Sequence, residues 1–122
     1  MSAVAPDTLL NVKHVSVTID SSGNWTCTPD PVVVGQSNVL VYATLDNSPG
    51  YSFPDTGAIV IDNAPSDFPY QSWTVKPQLA AILDLHANLG DFKYTVNAIG
   101  PNGPVSYDPV IRNGNTGGGG GT

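Results

Sequence analysis

Glutamate is missing from this chain of 122 residues and basic residues are nearly so, with three Lys and one Arg against ten Asp and a formal charge of −6. The shortage of Glu, Lys and Arg removes the residues from which surface helices are usually built, which argues against a helical fold. The acidic balance makes nucleic acid and anionic membranes poor partners, because both repel a polyanion. Cysteine occurs once, at Cys27, so no intrachain disulfide can form. Its setting in Trp25-Thr26-Cys27-Thr28 is strand-like and predicts a buried, unreactive thiol. No apolar run has the length of a membrane span. Residues 1–10 form a Pro-containing leader without the basic region and apolar run of a secretory signal, so the sequence as written predicts a cytoplasmic protein.

What the chain does have is strand formers and turn formers. The 14 Val, 6 Ile and 10 Thr are β-branched and pack well on a pleated surface, while 13 Gly, 11 Pro and 10 Asn suit many tight connections. The length fits one domain large enough to bury an ordinary core. Period-2 alternation then marks the strands. Over residues 11–19, Val15, Val17 and Ile19 point one way and His14, Ser16 and Thr18 the other. After the turn cluster at 20–24, residues 25–28 return with Trp25 and Cys27 inward, so the two segments predict a hairpin. Pro29-Asp30-Pro31 removes ladder donors at two of three positions, which forces the chain to leave the sheet or run along its edge.

Residues 32–34 resume as a strand. Residues 38–45 place Val39, Val41, Ala43 and Leu45 on one face with Leu40 and Tyr42 on the other, the two-sided apolar character of a central strand. A strong turn at 46–50 leads to a short edge or loop at 51–55, a brief apolar strand at 58–61 and an aromatic-rich segment at 68–75, which sets Phe68, Tyr70 and Ser72 opposite Gln71, Trp73 and Val75 without periodicity deciding which face is inside. Residues 78–88 read two ways. Pro77 and Asn88-Leu89-Gly90 would suit the ends of a helix, whereas the fold favours a strand beginning near Ala81.

Residues 89–98 alternate again, with Phe92, Tyr94 and Val96 on one face, and with 105–112 they predict the last hairpin. The stretch from Leu89 to Tyr94 resembles the tyrosine corner of immunoglobulin-like sandwiches, with Val96 where many such domains place a cysteine. Together the segments predict an all-β, immunoglobulin-like Greek-key β-sandwich of about seven or eight strands in a single domain over residues 11–112. Residues 113–122 carry no apolar side chain and predict a disordered Gly-rich tail.

Side chains that could carry chemistry are few. His14, Cys27 and His86 are scattered rather than gathered on the last hairpin as a blue-copper site requires. Neither His lies beside a nucleophile elbow, and no catalytic residue, metal ligand or cofactor is assigned. The turns carry Asp55, Asp62 and Asp67, which could supply oxygens to calcium if they met at one end of the sandwich, although Asp also closes turns by bonding its own backbone. Among the aromatics, Tyr51 and Phe53 sit in a loop flanked by Gly and Pro and are expected at the surface. Tyr51, Phe53, Asp55, Asp62 and Asp67 are therefore the candidate surface for a ligand or partner.

Pro29-Asp30-Pro31 and Tyr107-Asp108-Pro109-Val110-Ile111 together resemble the paired Asp-Pro signatures of the DP-EP family of small bacterial proteins. That resemblance implies a bacterial immunoglobulin-like sandwich and carries over no catalytic residue. The sequence thus predicts a non-enzymatic binding or assembly module that offers loops or an edge strand to a protein partner or to itself, with a carbohydrate- or calcium-binding sandwich as the alternative.

Overall fold

The alternation read from the sequence becomes two sheets in the computed structural model, which describes residues 11–63 and 65–114. The leader at 1–10 and the tail from 115 onward lie outside the described residues. The fold is an all-β sandwich of ten strands. The first sheet contains β1 (Val12–Ile19), β2 (Trp25–Thr28), β4 (Val39–Leu45), β6 (Trp73–Lys76) and β7 (Leu79–Asp84), in the order β2-β1-β4-β7-β6. The second contains β3 (Val32–Val34), β5 (Ile59–Ile61), β8 (Gly90–Gly100) and β10 (Val110–Asn113), in the order β3-β10-β8-β5, with β9 (Gly103–Tyr107) also on β8. Both sheets are mixed: β1 runs parallel to β4, and β3 parallel to β10, while the other pairs are antiparallel.

Each inward face matches its alternation. Val15, Val17 and Ile19 of β1, Val39, Val41 and Ala43 of β4 and Ile82 of β7 meet Val32, Val34, Tyr94, Val96 and Ile111 of the second sheet. β4 is central, between β1 and β7, as its two-sided pattern predicts. The ambiguous stretch is a strand that starts at Leu79, two residues before the expected position. A lone short helix is marginal in water, whereas here every residue from Leu79 to Asp84 has a partner on β4. The expected seven or eight strands become ten. The last segment breaks at Asp108-Pro109 into β9 and β10, and the very short β3 and β5 are each paired.

Two expectations are corrected. Asn113, placed at the head of a disordered tail, is the last residue of β10 and is buried. Its amide finds polar partners inside, so an apolar side chain is not needed to anchor it. Tyr94 is buried in the core, but its hydroxyl has no hydrogen-bond partner among the described residues, so the bond that defines a tyrosine corner is not made. The two Asp-Pro dipeptides, by contrast, meet. The chain crosses from β2 to the other sheet through Pro29-Asp30-Pro31, and Asp30 Oδ1 accepts from the Val110 amide at 3.0 Å beside Pro109.

The loop after β4 is strapped across the sandwich rather than lying free. Ser52 exchanges backbone hydrogen bonds with Ile99, and the Tyr51 ring lies on Gly100. A methyl at position 100 would overlap Tyr51 Cδ2 and Cε2. Gly100→Ala is therefore expected to force the ring off the core and lower stability by about 2 kcal/mol, the usual cost of overpacking. Urea unfolding checks this, and Tyr51→Ala in the same chain should recover part of the loss.

Candidate interaction surface

The two open flanks of the sandwich are finished differently. On one flank, residues 29–31 run directly from edge strand β2 to edge strand β3. There Trp25 stacks on Tyr107, with ring centroids 5.6 Å apart, and the outward residues of β2 are Thr26 and Thr28. On the other flank, edge strands β5 and β6 are joined by the longer segment 62–72. The strands and connection of this second flank carry the exposed apolar side chains Val60, Tyr70, Trp73 and Val75.

β6 owes its form to its register. It pairs with β7 through Trp73↔Ala81, Thr74↔Ala80 and Lys76↔Leu79, with an irregularity at Val75. Thr74 is tied to the body of the protein, its hydroxyl donating to Pro54 O. Trp73 and Val75 are left 48% and 61% exposed. Val60 on β5 and Tyr70 in the connection are also exposed. A bulge and a lysine are common guards against indiscriminate edge pairing, and β6 has both while still presenting a tryptophan.

Two depressions open on this flank. The first, of about 400 Å³, is lined by Gly57, Ile59, Val60, Phe68, Tyr70 and Ile82 among others. The second, of about 390 Å³, lies between the 52–55 loop and β6, with Phe53, Asp55, Val75, Lys76 and Ile99 in its wall. Large exposed apolar residues are informative when they cluster at a concavity, because a monomer gains nothing by leaving them wet.

The residues expected from sequence divide between sites. Phe53 is buried at 4% exposure and Tyr51 is half-buried against the core, so neither is the free loop aromatic that was expected. A loop that crosses an open sandwich edge has to plug it, and Phe53 does so while its amide donates to Pro77 O. Asp55 is exposed in the wall of the second depression, and Asp62 is exposed at the end of β5. Asp67 is not at the surface at all, with 1% exposure. Its Oδ1 accepts from Asn88 Nδ2, and its Oδ2 accepts from the Asn88 amide and from Asn113 Nδ2. Both oxygens are thereby spent on protein donors instead of being offered to an ion. Val60, Tyr70, Trp73 and Val75 are what sequence reasoning missed as a group. The available signal was Trp73 and Val75 on one face of a segment whose inner face periodicity left undecided.

The titratable groups elsewhere are engaged structurally. His14 is stacked on Tyr42 at 4.6 Å between centroids, and its Nε2 lies 2.7 Å from Thr44 Oγ1. The hydroxyls of Thr44 and Ser16 both donate to Asp46 Oδ2, which holds that carboxyl below its ordinary range. Ser16 thus bonds to a carboxylate and not to a histidine, and it lacks the base a nucleophile needs. His86 Nε2 is 2.7 Å from Gly114 O, which can only accept. Burial, reinforced by the nearby Asp30, pushes the Cys27 thiol up to about 11, so the thiolate is disfavoured. Among the described residues, no group of three or more His, Cys or Asp is placed to hold a metal ion.

No protein-family model matches the chain, and no curated protein is matched by it.

Proposed function

We propose that this chain is a non-enzymatic binding or assembly module that uses the β5–β6 flank to hold a protein partner or a second copy of itself. The observation that supports this most is an edge strand, β6, that exposes Trp73 and Val75, with Val75 in the wall of the second depression. An incoming strand would find unpaired backbone groups along β6 and two pockets for its side chains, the arrangement used in strand addition. Tryptophan is the residue most often found to dominate such contacts. The immunoglobulin-like, bacterial DP-EP-like character belongs to the same reading, and the contact between Asp30 and the Val110 amide is what supports it.

Trp73→Glu places a charge at the centre of the surface without touching the core. It is expected to weaken partner capture or self-association at least tenfold while leaving the melting temperature within about 2 °C. Sedimentation and affinity capture of both proteins check this, and unchanged association would remove the reading. Salt separates the two kinds of partner. Copies that each carry −6 repel, so self-association should strengthen with salt, whereas binding to a basic protein should weaken.

A carbohydrate ligand is the second reading, supported by the exposed Tyr70 in the wall of the first depression and the exposed Trp73 on β6. Oligosaccharide titration followed by tryptophan fluorescence tests it, with a flat signal removing it.

A further inference from the structure

Behind the far end of β7 lies a buried polar cluster that the interaction surface does not use. Asp84 is completely buried and Asn113 is 2% exposed. The Asn113 side-chain nitrogen sits among three acceptors: Asp67 Oδ2 at 2.9 Å, Asn88 O at 3.1 Å and Asp84 Oδ1 at 3.2 Å. Asp84 Oδ1 also accepts from the His86 amide at 2.8 Å. After this accounting two buried atoms have no partner in the cluster, Asp84 Oδ2 and Asn113 Oδ1. Both are acceptors, and they belong to the two planar groups already joined by the Asn113 Nδ2 to Asp84 Oδ1 bond.

Two orphaned acceptors on adjacent groups are costly, and one proton answers for both. A carboxylic acid and a carboxamide can pair through two hydrogen bonds, N–H to one acid oxygen and O–H back to the amide oxygen. The first of these is present. We infer that Asp84 carries a proton in the folded protein, donated from Oδ2 to Asn113 Oδ1, and that this acid–amide pair is a pH-sensitive latch on the end of β10.

The surroundings favour the neutral acid. Desolvation raises the Asp84 carboxyl above its ordinary range most strongly, and the charge of Asp67 adds to it, while the hydrogen bonds from His86 and Asn113 and the charge of His86 oppose it. The titratable groups facing it are therefore Asp67, from the connection before β6, and His86, from the turn after β7. β10 brings only the Asn113 amide, since Arg112 is turned outward to Asp91, and β3 is three valines. The latch reaches further through the chain. Gly114 donates its amide to Val34 O and accepts from His86, so the cluster, the end of β10 and β3 are fastened together.

The direction in pH follows. Because the folded carboxyl is raised, its contribution is fully present below the unfolded value near 3.9 and is lost as pH rises through the folded value. Above that point two carboxylates share one buried amide, and the β10 end should open.

Hydrogen exchange of the full chain tests this, read at the Gly114 amide and corrected for intrinsic pH effects. As pH rises from about 4 to 8 the opening of Gly114 is expected to increase, about tenfold for each unit by which the folded value stands above the unfolded one. Asp84→Asn keeps an acceptor at one atom and supplies a donor at the other, so it should hold Gly114 closed across the range. The Asp84 carboxyl carbon, followed by NMR, should titrate above the ordinary carboxylate range. Titration of Asp84 within the ordinary carboxylate range, or equal pH dependence of Gly114 opening in both proteins, would overturn the latch.

Discussion

Asp67→Ala is expected to lower stability by about 3 kcal/mol, or about 10 °C in melting temperature, while Asp55→Ala and Asp62→Ala stay within about 0.5 kcal/mol of the parent. The difference comes from what each carboxylate touches. Asp67 accepts from Asn88 N, Asn88 Nδ2 and Asn113 Nδ2 inside the protein, and its own carbonyl accepts from the Leu85 amide. Removing the side chain loses the two Asn88 bonds to a carboxylate, worth about 1–1.5 kcal/mol each because the exposed Asn88 can turn its donors to water. Asn113 Nδ2 keeps Asp84 Oδ1 and Asn88 O, so its loss is smaller. Thermal unfolding of the three variants at one pH checks the contrast. A calcium-binding loop would behave the other way, with all three variants losing ion-dependent stabilisation together.

The second large effect is at Tyr94, where two substitutions are expected to differ in sign. Tyr94 is among the largest fully buried side chains, set between the two sheets beside Val96 and Ile111. Tyr94→Ala should cost about 3–5 kcal/mol, as deletion of a buried aromatic ring usually does. Tyr94→Phe removes only a hydroxyl that is buried without a partner, and burial already holds that hydroxyl well above its ordinary pKa. The Phe variant is expected to be neutral or about 1 kcal/mol more stable, because a desolvated group is deleted and no bond is lost. A tyrosine corner predicts the opposite, a loss on going to Phe. Urea denaturation of the pair decides between them.

The fold was legible wherever one strong rule acted alone. Alternation in 11–19 and 38–45 identified β1 and the central β4, because burying one face fixes which residues turn inward. Pro29 and Pro31 identified the exit from the first sheet, because a missing N–H cannot be repaired. The strand at 79–84 was harder, since its composition allows a helix and the decision comes from β4, more than thirty residues earlier in the chain. The surface was misread for a related reason. Tyr51-Ser52-Phe53-Pro54 has loop composition, and whether a loop aromatic is exposed or plugs a gap depends on what lies beneath it. Asp67, Asp84 and Asn113 come from distant parts of the sequence, and no local pattern announces that they share one buried polar cluster. Trp73 and Val75 were visible as a pair, but the outward face of Trp73 is set by its pairing with Ala81, opposite Tyr42, and their exposure by β6 being the last strand of its sheet.

The claim that the β5–β6 flank is the working surface is tested most directly by a photo-crosslinking amino acid placed at position 73, with the same group at position 26 on the opposite edge as the reference. Irradiation in cells expressing the full chain should yield a discrete adduct, to a second copy or to one other protein, from position 73 and not from position 26. No adduct from position 73, or the same adducts from both positions, would contradict the account.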